Sequence, residues 1–188
     1  QAGTASVHFA ARWKNGSWSA LGTGLDNGVK CVKSYTNASG PGLVVGGAFG
    51  VAGGTAAYRI ARWNGTSWAP LGGGMNDDVE ALAVFDDGSG PALFAGGRFT
   101  TAGGTPTICI AKWNGTSWSS VGGGVNGVVY AFAVHDDGSG PALYAGGDFT
   151  LAGGVAATHV ARWNGTSWSY LGGGTDLTVR SLSVVDDG

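Results

Sequence analysis

ARWNGTSW stands at residues 61–68 and returns as ARWNGTSW at 161–168, as AKWNGTSW at 111–118 and as ARWKNGSW at 11–18. Two tryptophans five residues apart thus recur at an interval of fifty through a chain of 188 residues. A repeat of that length is one supersecondary unit, which buries its apolar face by stacking on its neighbours. The rest of the unit repeats as well. GPGLVVGGAF at 40–49 matches GPALFAGGRF at 90–99 and GPALYAGGDF at 140–149, and AGGTAA, AGGTPT and AGGVAA follow at 52, 102 and 152. LGTG, LGGG, VGGG and LGGG follow the second tryptophan of each unit.

Each unit holds four short runs of β type separated by turn chemistry. In residues 79–128, run A is VEALAVF (79–85), run B is ALFAGGRF (92–99), run C is ICIAKW (108–113) and run D is SWSSVG (117–122). DDGSGP separates A from B, TTAGGTPT separates B from C, and an Asn-Gly hairpin signal separates C from D. No window carries a 3.6-residue period, so no helix is expected. Four antiparallel strands per unit of about fifty residues define an all-β fold, the β-propeller of four-stranded blades. The blades fall at 29–78, 79–128 and 129–178, flanked by partial blades at 1–28 and 179–188, in a single domain. Run A, apolar on both faces, is expected innermost and doubly buried. Run D, with its Ser and Thr and with Pro70, suits the outer edge.

Side chains alternate across a strand, so both indoles of a unit lie on one face of the blade. With a two-residue C–D loop Trp63 pairs with Thr66; with a four-residue loop it pairs with Trp68. The glycine pairs Gly46-Gly47, Gly96-Gly97 and Gly146-Gly147 in run B are the expected seats of the indoles between blades.

Composition narrows the function. Hydrophobic residues make up 43% of the chain, charged residues only 12%, and the net charge is −2. That balance excludes an electrostatic nucleic-acid binder, which needs a basic face. No run of about 18 apolar residues is present to span a membrane, and no signal peptide is visible. The chain opens on Gln1 rather than Met, as a processed protein or a fragment does. Cys31 and Cys109 sit at non-equivalent positions without metal spacing and are read as buried apolar thiols.

The hydrophobic strand, then LYAGG, then HVARW, then a strand opening on Trp, resembles kelch-type propellers, the galactose oxidase propeller among them. DDGSGPALYAGGDFT followed by ARWNGTSW is similar to long repetitive proteins of environmental, planctomycete-like bacteria. The strand-C aromatics Trp63, Trp113 and Trp163 depart from kelch, which usually carries Tyr there.

Aligned at the tryptophans, the chain opens inside a B–C loop and closes after a run A, so one run B is missing from the set. Three arrangements follow: a piece of a longer propeller, a four-bladed ring or a pair of copies making eight blades, and an open array. Exposed strand edges are a liability, so the gap is expected to be filled, most simply by another chain. A homo-oligomer through the incomplete blade is one such outcome.

The motifs that could carry chemistry have simpler readings. DDGSG at 86–90 and 136–140, with DDG at 186–188, lacks the spacing of a calcium loop and suits an A–B turn. The sequons at Asn15, Asn64, Asn114 and Asn164 lie in the C–D turn, which wants Asn-Gly; a fifth is at Asn37. The glycine runs lack the GK[ST] of a phosphate loop. His8, His135 and His159 do not converge, and no G-x-S-x-G is present. No cofactor or metal is assigned, and the chain is read as non-enzymatic.

What remains is variation against a constant frame. The repeats differ at Ala48/Arg98/Asp148, at Tyr58/Ile108/Thr158 and at Lys30/Glu80/Tyr130/Arg180. The first and last sets flank the B–C and D–A loops, which in kelch-like propellers share the partner-binding face. Lys30, Glu80, Tyr130, Arg180, Arg98 and Asp148 are the candidate binding residues. The functional expectation is a secreted or cell-surface module that binds a protein ligand or plays a structural part, joined to further blades where the protein continues. A carbohydrate-binding propeller, or the non-catalytic propeller of a larger extracellular enzyme, is the alternative.

Overall fold

In the computed structural model, residues 7–185 are described, and among them there is no helix. The third DDG, at 186–188, and Gln1–Ser6 lie outside the described residues. The first hairpin of the described residues is β1 (Ala11–Lys14) and β2 (Ser17–Ala20). The next unit is β3 (Val29–Asn37), β4 (Gly40–Gly47), a small hairpin β5 (Val51–Ala52) and β6 (Thr55–Ala56), then β7 (Ile60–Trp63) and β8 (Trp68–Pro70). The pattern repeats as β9 (Val79–Asp86), β10 (Pro91–Gly97), β11 (Thr101–Ala102), β12 (Thr105–Pro106), β13 (Ile110–Trp113) and β14 (Trp118–Ser120). It repeats again as β15 (Val128–Asp136), β16 (Pro141–Asp148), β17 (Leu151–Ala152), β18 (Val155–Ala156), β19 (Val160–Trp163) and β20 (Trp168–Tyr170). Each unit forms one antiparallel sheet in the order A–B–C–D: β3-β4-β7-β8, β9-β10-β13-β14 and β15-β16-β19-β20. The A strands are neighbours, β3 beside β9 and β9 beside β15.

The core lies between blades rather than within them. One apolar cluster joins Tyr35, Val44 and Ile60 of one sheet to Leu93, Trp113 and Trp118 of the next. Another joins Phe85 and Phe94 to Leu143, Trp163 and Trp168. Side chains such as Phe94 and Leu143 are fully buried, each contributing about 1.5–3 kcal/mol.

Run A is not the doubly buried strand. In β9 Val79, Ala81, Ala83 and Phe85 are buried and alternate with half-exposed Glu80, Leu82 and Val84. Strand B is buried throughout: Ala92 to Gly97 are all enclosed. The physical reason is position. Strand B has a ladder on each side and a blade on each face, whereas strand A has a ladder on one side only.

The indoles also sit elsewhere than the strand-B glycines. A Cβ on Gly46 would meet Val79 of the next blade, as one on Gly96 would meet Val129, so the first glycine of each pair receives the neighbouring strand A, while the second faces backbone at the entry to its own sheet's strand A. The indoles rest on the glycine that follows strand D of the preceding unit. A Cβ on Gly72 would lie 2.1 Å from Trp113 Cζ3 and 2.8 Å from Trp118 Cδ1, and Gly122 meets Trp163 and Trp168 in the same way. A hydrogen bond completes each joint. Trp68 Nε1 donates to the Leu21 carbonyl at 2.7 Å, Trp118 Nε1 to Leu71 at 3.1 Å and Trp168 Nε1 to Val121 at 3.2 Å.

The C–D loops resolve the two pairings. Trp63, Trp113 and Trp163 pair directly with Trp68, Trp118 and Trp168 across four-residue loops. In them Asn64 Oδ1 accepts from the Thr66 and Ser67 amides, both at 2.9 Å, and Asn114 and Asn164 do likewise. Among the C–D loops of the described residues, the one between β1 and β2, where Lys14 pairs with Ser17, is instead a two-residue Asn15-Gly16 loop. Its φ values of 50° and 75° are those of a type I′ turn.

A polar clamp holds each B–C loop. Asn76 Oδ1 accepts from the Thr100 and Thr101 amides, Asn126 Oδ1 from Thr150 and Leu151, and Asp26 Oδ1 from Gly50 and Val51. Of the three, only Asp26 titrates. The Val51 amide, opposed by burial and reinforced by Gly50, holds its carboxyl below the usual carboxylate range. A depressed pKa contributes stability above the unfolded value of about 3.9 and loses it as pH falls through the folded value. Amide-exchange protection at Gly50 and Val51 is therefore expected to drop in acid below pH ~4, while Thr100 and Thr101 keep theirs. Equal loss at both loops would contradict the clamp.

Candidate functional site

The candidate residues on strand A occupy one special position. In each ladder the register shifts near the start of strand A, so Lys30, Glu80 and Tyr130 are left unpaired as bulges. A bulge re-aims its side chain. Here the bulged side chains meet across successive blades. Lys30 Nζ reaches Glu80 Oε1 at 2.7 Å and Asp78 Oδ2 at 2.8 Å. Glu80 pairs with Arg98 Nε at 3.1 Å. Arg98 Nη2 donates to the Tyr130 hydroxyl at 3.1 Å, and the Arg180 guanidinium lies 4.9 Å from the centre of the Tyr130 ring. Lys30, Glu80, Arg98, Tyr130 and Arg180 thus form one arc across four units.

Electrostatics grade along that arc. Burial works against the Lys30 ammonium, but its bonds to Asp78 and Glu80 outweigh burial and hold it above its ordinary value. The bond to Glu80 raises Arg98 likewise. Toward the other end charge is less matched. Arg98 is 44% exposed, and Arg180 makes no ion pair among the described residues. The two guanidiniums flank the Tyr130 ring, an arrangement suited to an acidic group or an aromatic face. Asp148 is not drawn into the arc. It is contacted by Thr178 at 3.4 Å and lies 4.0 Å from His159.

Sequence reasoning missed two participants. Asp78, in the D–A loop, lies between Lys30 and Arg59. The residue before strand C, Arg59, Cys109 or His159, adopts positive φ between 60° and 72°, and Phe9, its equivalent in the first hairpin, does so at 58°. Non-glycine residues seldom do so. Hydrogen bonds to strand B on both sides hold it there, as Cys109 N to Phe99 O and Gly97 N to Cys109 O. The position varies among the repeats next to Tyr58, Ile108 and Thr158, but no repeat places a glycine there to signal its backbone.

At the opposite end of the sheets the acidic turns are internally satisfied. Asp86 Oδ1 accepts from the Gly88 and Gly90 amides, and Asp87 from Ser89 and from Lys112 Nζ on strand C. Burial pushes the Asp87 carboxyl up, and Lys112 and Ser89 outweigh it, so it titrates below the usual range. Arg162 reaches Gly140 O at 3.0 Å and Ser139 Oγ at 2.6 Å, and Arg62 reaches Gly40 O at 2.7 Å. The basic residue that recurs in strand C therefore ties down its own A–B turn. Among the described residues no group of three or more His, Cys, Asp or Glu is placed to hold a metal ion. Cys31 and Cys109 are both free thiols. The Cys31 sulfur faces the Val79 carbonyl at 3.8 Å, and burial pushes the thiol up to about 12.

Repeated four-stranded antiparallel sheets, with inner strands side by side and cores between sheets, define a β-propeller. The family model of the Rax2 C-terminal beta propeller domain matches residues 56–187. The chain belongs to that family. Searches of curated proteins and of solved structures gave no match.

Proposed function

We propose that this propeller is a non-catalytic, secreted or cell-surface module that engages a protein ligand through the arc from Lys30 to Arg180. The observation that carries the reading is the convergence of the variable positions. Residues free to differ between repeats are bulged toward one end and joined across four units. Their exposed end, Arg98–Tyr130–Arg180, has the Arg and Tyr chemistry that interface centres favour. The low charge and the Gly- and Trp-rich repeat support an extracellular setting. The strand-B double glycine and the strand-D Trp support a kelch-like affiliation, and the resemblance to bacterial repeat proteins rests on the same units.

The carbohydrate-binding alternative needs indoles open at equivalent sites. Trp63, Trp68, Trp113, Trp118, Trp163 and Trp168 are all buried, which favours the protein-ligand reading. The probe for a test is a hexaglutamate peptide titrated by calorimetry at low salt. The paired substitution Arg98→Ala and Arg180→Ala is expected to weaken binding at least about tenfold without lowering the melting temperature. Unchanged affinity in the variant, or no binding by the parent, would sink the reading.

A further inference from the structure

Asparagine followed by glycine is open to spontaneous deamidation, because the unhindered glycine nitrogen can close a five-membered ring on the asparagine side-chain carbon. The chain has six such pairs, at Asn15, Asn27, Asn64, Asn114, Asn126 and Asn164. Hydrogen bonds to the side-chain oxygen set the geometry of the last five. In four of these the oxygen is spent on amides other than that of the following glycine. Asn64 Oδ1 accepts from Thr66 and Ser67, Asn114 Oδ1 from Thr116 and Ser117, and Asn164 Oδ1 from Thr166 and Ser167. Asn126 Oδ1 accepts from Thr150 and Leu151, each at 2.8 Å, and its Nδ2 donates to Thr150 Oγ1. To turn its carbon onto the glycine nitrogen, each of the four gives up two hydrogen bonds. Asn27 is exposed, and its Oδ1 accepts from Gly28 N itself, at 2.7 Å. The nitrogen that closes the ring therefore already lies beside the carbon it attacks, as a near-attack arrangement requires. The same bond holds in the next D–A loop, where Asp78 N donates to Asp77 Oδ1 at 2.7 Å, so the geometry belongs to the loop.

We propose that Asn27 is a site of spontaneous deamidation and that the fold shields Asn64, Asn114, Asn126 and Asn164 from the same reaction. Gly28 N gives its proton to hydroxide and forms a bond to Asn27 Cγ. The Cγ–Nδ2 bond breaks, and Nδ2 takes a proton from water and leaves as ammonia. Water then opens the succinimide at either carbonyl, leaving aspartate or isoaspartate. One water is consumed and one ammonia released, with no oxidation or reduction. The aspartate product matches the residue type already present in the next loop as Asp77. The isoaspartate product adds a methylene to the main chain just before Gly28, whose carbonyl accepts from the Ala48 amide at 2.9 Å. The change therefore falls at the entry to β3, whose second residue is Lys30. The ligand-binding reading above takes no part in this inference.

The test is peptide mapping by mass spectrometry of the 188-residue chain, incubated folded and in urea in warm, mildly alkaline buffer, with aspartate and isoaspartate products separated by chromatography. Circular dichroism during the incubation shows that the folded sample stays folded. In the folded chain Asn27 is expected to convert at least as fast as it does in urea. Asn64, Asn114, Asn126 and Asn164 should each convert at least about tenfold more slowly folded than in urea. Gly28→Ala adds a methyl beside the attacking nitrogen, in a place where nothing lies within 4 Å of the Cβ position. It should slow conversion of Asn27 at least about tenfold without lowering the melting temperature. Folding that slows Asn27 as much as the other four overturns the proposal, and so does any of the four reacting as fast folded as in urea. A Gly28→Ala variant that converts as the parent does overturns it as well.

Discussion

Replacing Trp118 by alanine is expected to destabilise the fold by about 3–5 kcal/mol, in the range of buried aromatic truncations. Trp118 is 5% exposed, packs on Trp113 at 5.2 Å and covers Gly72 of the preceding unit. Its loss opens a cavity at a blade joint, where the surrounding strands are held by ladders and cannot collapse inward. It also leaves the Leu71 carbonyl without its indole donor, which adds to the cost. Trp18 is the internal control. It has the same place in its unit but is 45% exposed, so Trp18→Ala should cost below about 1 kcal/mol, near the range of surface changes. Urea unfolding of the two variants measures both. Similar losses would mean that the strand-D indole acts within its own blade.

Gly97→Ala is expected to cost roughly 3 kcal/mol, the upper end of overpacking. A Cβ there would lie 2.1 Å from the Asp78 carbonyl oxygen. Backbone cannot rotate aside as a flexible side chain does, and this carbonyl is already fixed by the Arg98 amide at 3.0 Å. Gly47 and Gly147 face Gly28 O and Val128 O at 2.2 and 2.0 Å, so the constraint recurs in each blade. Gly28→Ala provides the contrast. Nothing lies within 4 Å of its Cβ position and its φ is not positive. That substitution should be neutral, or stabilising by about 0.4–1 kcal/mol through the unfolded chain. Thermal melting of Gly97→Ala and Gly28→Ala distinguishes a tight backbone approach from the general cost of removing a glycine.

The fifty-residue period carried most of the fold. It placed four strands in each unit and put the paired tryptophans on one face, because strand alternation and turn chemistry are local. Contacts between units were less legible. A strict repeat looks the same whether residue 63 meets residue 46 or residue 22, so Trp63 could not be assigned to Gly22 of the preceding unit from spacing. Burial of run B over run A was hidden for a related reason: apolar content was read as depth, whereas depth followed from ladder position. At the candidate site, variation among Lys30, Glu80, Tyr130 and Arg180 singled out positions that lie next to one another in the fold. Its bulge was not visible, since a register shift depends on the partner strand. The positive φ of Arg59, Cys109 and His159 was hidden because none is a glycine.

The claim that ties these findings together is that each blade is latched to the one before it by an indole hydrogen bond. Hydrogen exchange of the tryptophan Nε1–H groups, read by NMR on dilute monomer, tests it most directly. Trp68, Trp118 and Trp168 should exchange slowly, because their protons are bonded to Leu21, Leu71 and Val121. Trp13 and Trp18 should exchange at the rate of free indole. Fast exchange at Trp118, or protection at Trp18 equal to that at Trp118, would contradict the account.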